Sequence, residues 1–240
     1  MPSKKKAQTA VKVTAKEMLK IFSNLHEGTL RGVRLSRVNM DEFNLAGINL
    51  SSALLKFCSL KQADLRSAKL DGANLFRSKL DGAKLQGASM KFVLMQLASL
   101  HDARMQEVRL TRAEMSKCNL TLADLREADL ESAILNEAEL HMADLESAHL
   151  AACNFYGARM QGTILWKANL HSANLRKADL AGANLRRANL AEANFTGANL
   201  TGADLRGAKM EMTNLNDCRL EGVQWDNTTE WPMGFGPPPR

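Results

Sequence analysis

The chain has 240 residues, 45% of them apolar, enough for one or two domains with a packed core and too many for a disordered chain. Four cysteines exclude a disulfide-dense secreted scaffold, and no apolar run reaches the ~18 residues that a membrane-spanning helix needs. The net charge of +6 sits mostly in a tail: residues 1–20 hold six Lys and one Glu, while the remaining 220 hold 26 basic against 25 acidic groups.

Residues 1–13 read as a flexible basic tail, and the Lys-rich start lacks the apolar segment of a secretory signal. Thr14-Ala15-Lys16-Glu17 has the form of a capping box. Met18, Ile21, Phe22 and Leu25 follow at helical spacing, which predicts a short amphipathic capping helix over 14–24.

From residue 25 a period of five takes over. Every fifth position from Leu25 to Trp225 is apolar: 41 positions, of which 31 are Leu, seven Met, two Phe and one Trp. Two residues before each, from Val33 to Val223, 25 of 39 positions are Ala. A small inward residue, an outward spacer and a large inward residue make the alternation of a strand. Two further residues turn the chain. Of 15 Gly, 12 fall two after the large residue, as in Gly72, Gly82 and Gly87, where a corner needs unusual dihedrals. Pro is absent between Pro2 and Pro232, as expected where each coil donates backbone hydrogen bonds to the next. These features specify a β-solenoid and leave the number of its sides open.

Ala63-Asp64-Leu65, Ala123-Asp124-Leu125, Ala173-Asn174-Leu175 and Ala203-Asp204-Leu205 carry a resemblance to the pentapeptide-repeat family, whose unit is Ala-(Asp/Asn)-Leu-x-x, over residues 25–225. The resemblance implies an all-β fold, a right-handed quadrilateral parallel β-helix with four repeats per coil. About ten coils at ~4.8 Å would give a rod of ~48 Å. Residues 226–240 follow as a C-terminal cap. Trp225, Trp231 and Phe235 are expected to fold back over the last coil or to supply a dimer contact, since related proteins dimerise through their C-terminal ends.

Candidate chemistry is sparse. Cys58, Cys118, Cys153 and Cys218 all occupy the small inward position and read as buried free thiols in a reducing, cytoplasmic compartment. Cys58 and Cys118 lie three coils apart, ~14 Å, beyond disulfide reach. Asp124 and Asp144, like Glu107 and Glu127, stack one coil apart. That separation suits a glycosidase pair or a divalent cation, but a convex rod offers no dry cleft. Arg104 and Arg126 stand near enough to neutralise the group. His101, His141, His149 and His171 read as solvated, and no phosphate loop or nucleophile–base pair occurs. The reading is therefore a protein with no catalytic residues, no cofactor and no metal.

Function on such a rod belongs to its outer faces. The face holding Leu35, Leu55, Leu75 and Met95, termed the first, carries Leu54, Phe57, Phe76, Phe92, Leu94 and Leu97, an apolar patch that the fold does not need. Its expected occupant is a protein partner or another copy, with coverage by the N-terminal segment as the competing account. Asn154, Asn174, Asn194 and Asn214 follow on the same face as a ladder. The opposite, third face carries Leu122, Met142, Ile164 and Trp166. Charge is banded along the axis: +6 over residues 31–100, −6 over 101–150 and +3 over 151–225. The acidic belt comprises Asp124, Glu127, Asp129, Glu131, Glu137, Glu139, Asp144 and Glu146.

An interaction or scaffold rod is the leading expectation. The alternative is a DNA gyrase-interacting protein, because some pentapeptide-repeat proteins occupy this topoisomerase by mimicking duplex DNA. Here only the belt has the required sign. Non-specific nucleic-acid contact through Lys4, Lys5, Lys6, Lys12, Lys16 and Lys20 is a third expectation.

Overall fold

The computed structural model describes residues 29–238. The basic tail and the helix expected over 14–24 lie outside the described residues, so the tail's lysines and the capping box are not placed.

Parallel bridges tie each outward residue to the one 20 positions on, from Thr29↔Asn49 to Asp204↔Gln224. Five-residue repeats with a 20-residue return make a coil of four sides, the number that periodicity alone left open. The central residues Leu55, Leu60, Leu65 and Leu70 mark the first to fourth faces of one coil. Each side is a single bridging residue flanked by two inward ones, because the chain turns again before a longer strand can form.

The backbone accounting within one repeat is complete. In residues 123–127, Leu125 and Glu127 donate forward to Asp144 and Glu146 of the next coil, and Asp124 donates back to Ala103. Ala123 closes the corner by donating to Leu120, three residues earlier. The fifth amide, Arg126, donates to the side chain of Asp124 two residues before it. The same contact recurs at Asn49, Asn119, Asn169, Asn199 and others, so the repeat's Asp or Asn serves as the acceptor for the one amide that the ladder leaves over.

Every corner from residue 32 to 222 that is described with a left-handed backbone has it at the second residue after the central one, with φ between 54° and 70°. A positive φ at the third turn residue defines a type II turn and favours Gly. Twelve of these corners are Gly, but 27 are not, and Phe57, Phe92, Leu97, Leu122, Met142 and Met212 are among them.

The core is one continuous column. Leu130, like nearly every central residue from Leu55 to Leu205, is fully buried, and Phe155 and Phe195 stack in the same file with Leu175 between them. At the narrow wall position, most hydrogen-bonding side chains find a partner one coil back, whereas Thr163 donates to the Met160 carbonyl three residues earlier. Cys58, Cys118 and Cys153 donate to the carbonyls of Leu35, Met95 and Leu130 at 2.7–2.9 Å, and Ser78 and Thr213 do the same to Leu55 and Leu190. All four cysteines are free thiols. Burial pushes the Cys118 and Cys153 thiols up to about 12, and that of half-buried Cys218 to about 11.

The ladder continues past Trp225 with one extra residue, since Lys209 bridges to Glu230, 21 positions on. Thr229 then fills the wall position and donates to the Leu205 carbonyl, and Trp231 follows at the central position, packed against the core. Trp231 stacks on Phe235 at 5.5 Å and meets Trp225 edge-on at 6.3 Å, while Trp225 Nε1 donates to the Pro238 carbonyl. Trp231 and Phe235 thus extend the aromatic packing beyond Trp225 at the end of the core.

Candidate interaction surface

The first face carries the six apolar residues expected there. Phe57, Phe92 and Leu97 are 42%, 53% and 40% exposed, and Leu54, Phe76 and Leu94 are half-buried. The 20-residue return fixes their files. Leu54, Asn74 and Leu94 bridge in one line, so Asn74 separates the two leucines. Arg77 stands between Phe57 and Leu97 in the corner file. The apolar patch is therefore a mosaic, interrupted by Asn74 and Arg77.

Its best-defined part is a chain of four side chains. Arg37 lies over the Phe57 ring at 5.5 Å, Phe57 meets Phe76 edge-to-face at 5.7 Å, and Arg77 lies over Phe76 at 5.4 Å. The ring faces attract the guanidinium charges, and the edge-on pair suits the aromatic quadrupoles. Sequence placed the rings in adjacent coils but gave no sign that arginines would close the series at both ends. Beyond the patch, Asn174 donates to Asn154 at 2.9 Å, one rung of the expected ladder.

On the third face, Leu122 and Met142 are 45% and 55% exposed at successive corners. Ile164 is exposed in line with Asp144, and half-buried Trp166 has the Lys167 ammonium 4.1 Å from its ring.

The acidic belt does not form a stripe. Asp124, Glu127, Asp144 and Glu146 belong to the third face, Asp129 and Glu131 to the fourth and its corner, and Glu137 and Glu139 to the second and its corner. Several are already paired. Arg126 grips Asp124 with two bonds of 2.8 and 2.7 Å and approaches Asp144 at 3.8 Å. Arg126, rather than Arg104, therefore neutralises this stack. Lys117 meets Glu137 at 3.2 Å, and Arg159 meets Glu139 at 3.7 Å. Burial pushes the Asp124 pKa up, but the Arg126 bonds and charge outweigh it and hold the carboxyl below its usual range. The same fork recurs on this face three coils earlier as Asp64–Arg66 and four coils later as Asp204–Arg206.

Glu107 and Glu127 line a shallow cleft of about 240 Å³ with Gln106, Arg126 and Glu146. Among the described residues no group of three or more His, Cys, Asp or Glu is placed to hold a metal ion, and no helix is long and apolar enough to cross a membrane.

A family model described as pentapeptide repeats, in eight copies, matches residues 44–82, 58–91, 73–112, 113–150, 153–190 and 183–222. No curated protein matches the chain. Among solved structures it is similar to HetL, a pentapeptide repeat protein involved in heterocyst differentiation regulation in the cyanobacterium Nostoc, at 28% identity over 87% of this chain and 93% of that one, with a TM-score of 0.38. It is also similar to a pentapeptide repeat protein of the Arabidopsis thaliana thylakoid lumen, at 31% identity over 42% of this chain and 71% of that one, TM-score 0.42. QnrB1, a plasmid-mediated fluoroquinolone resistance protein, shares 19% identity over 83% of this chain and 93% of that one, TM-score 0.35.

Proposed function

The chain belongs to the pentapeptide repeat family, and on that premise we propose that it is a non-catalytic interaction module whose right-handed, four-sided rod presents its first face to a protein partner. The observation that carries this reading is the placement of Phe57, Phe92 and Leu97. All three are exposed, and all three hold φ between 56° and 61°, where a bulky side chain strains the backbone. They add little to the core and cost the corner something, so their value lies outside the fold. Aromatic rings beside arginines are also the residue types that anchor protein interfaces.

The gyrase reading draws less support from the geometry. Mimicry of a duplex needs a long run of uncompensated negative charge. The belt covers only residues 101–150, wraps around the rod, and loses much of its charge to Arg126, Lys117 and Arg159.

The test is capture from lysate of the source cell, with wild type beside Phe57→Glu/Phe76→Glu, both giving the same circular dichroism spectrum. A protein retained by wild type and lost by the variant is the expected result. Gyrase subunits held equally by both baits would overturn the first-face reading and move attention to the belt.

A further inference from the structure

The first and third faces differ by 10 residues in a 20-residue coil, which puts them on opposite sides of the rod. Each carries an exposed apolar group spread over three successive coils, Leu54 to Leu97 on one and Leu122 to Trp166 on the other. Their rims have opposite charge. Around the first stand Arg34, Arg37, Lys56, Arg77 and Lys91 against Asp71 and Glu114. Around the third stand Asp102, Glu107, Glu127 and Glu146 against Arg104 and Lys167, with Arg126 already committed to Asp124 and Asp144. Among the described residues nothing covers either group.

Resting on the reading of the first face as an interaction surface, we infer that one occupant of that face is the third face of a second copy of this chain. The two groups match in axial extent, roughly 10 Å from first to last coil. Joined, each apolar centre meets an apolar centre, and each basic rim meets an acidic one. The alternative of first face on first face would set Arg37 and Arg77 against their own equivalents. Because the two surfaces lie on opposite sides, every added copy leaves one of each free. The contact is heterologous and open, and it builds a row rather than a closed dimer. Phe76 and Asp144, near the two centres, are 68 residues apart, which sets a stagger of roughly 16 Å between neighbours.

Sedimentation velocity on the purified full-length chain tests this. The weight-average mass should rise with concentration past that of a dimer, and fall back in ~1 M salt, where surface charges are screened. Phe57→Glu/Phe76→Glu removes the first face and Leu122→Lys/Met142→Lys the third. Each should sediment as a monomer, and an equimolar mixture should form dimers and nothing larger, because one intact surface of each kind remains. Glu127→Lys/Glu146→Lys reverses the third-face rim without touching its apolar residues and should also lose the association, which covers the case where the apolar variants fold poorly. A wild type that stays monomeric at every concentration would overturn the inference, as would a third-face variant that associates like wild type. A monomeric wild type whose capture of another protein still depends on Phe57 and Phe76 would overturn the self-association alone and leave the first-face reading standing.

Discussion

Replacing Phe92 by Gly separates a residue kept for the fold from one kept for the surface. Phe92 sits at a corner with φ of 56° and is 53% exposed. Relief of the left-handed strain should return about 1–2 kcal/mol. Against it stands the greater freedom of Gly in the unfolded chain, about 0.4–1 kcal/mol. A fully buried Phe is worth about 1.5–3 kcal/mol, so the covered half of this ring contributes about 1 kcal/mol. The three terms nearly cancel, and Phe92→Gly should leave stability within about 1 kcal/mol of wild type. Leu130→Ala, in a fully buried position, should cost about 2–5 kcal/mol. Repeat rods depart from two-state unfolding, so the informative comparison is between urea midpoints measured on the two variants in parallel. A Phe92→Gly midpoint lowered as far as that of Leu130→Ala would show that the ring belongs to the fold, and the case for an exposed interaction surface would lose its main support.

Other outcomes can be checked directly. Leu130→Asp places an unpartnered carboxylate inside the apolar column and should abolish cooperative unfolding, read by circular dichroism. Asp64, Asp124 and Asp204 have depressed pKa values, so their stabilising contribution is complete above the ordinary carboxylate value and fades as pH falls through the lower folded value. An Asp124→Asn/Asp204→Asn variant should therefore show a flatter acid limb in a plot of urea midpoint against pH. A thiol reagent at neutral pH should modify half-buried Cys218 first, while Cys118 and Cys153 react only on unfolding. Equal rates for all four in the native protein would contradict the wall placement.

The coil was legible in sequence to the extent that identical small decisions recur along it. Ala63, Ala123 and Ala203 announce the wall and Leu65, Leu125 and Leu205 the axis, because only those sizes fit. The corner was legible from Gly72 and Gly82, but not the fact that Phe57 and Leu97 adopt the same backbone, since a bulky residue gives no local sign of a positive φ. The sequence placed Phe57 and Phe76 in one patch, and their edge-to-face contact came from the structure. The same stretch contains Asn74 and Arg77, whose interruption of the patch becomes plain only when the 20-residue return is drawn. Which of two nearby arginines would take Asp124 depended on side-chain reach: Arg126 lies two residues along the same strand exit, where its fork can meet both carboxylate oxygens. The extra residue before Glu230 shows in sequence only as the end of the five-residue register at Trp225, and the structure shows Thr229 and Trp231 resuming the small and large inward positions one residue late.

The 20-residue return makes the bearing of one face against another a matter of phase. Because the apolar columns are interchangeable from Leu55 to Leu205, gain or loss of one five-residue unit near Leu100 would refill every core position with an equivalent residue. Everything downstream would nevertheless swing by a quarter turn. Met142 and Trp166 would then face at right angles to Phe57 and Phe92 instead of away from them. Neighbouring copies joined through such surfaces would climb as a spiral stair rather than lie in a straight row. Four such changes would bring the original bearing back, with the rod one coil longer or shorter. In this architecture, the direction in which surfaces look can change by discrete steps while the interior that supports them stays the same.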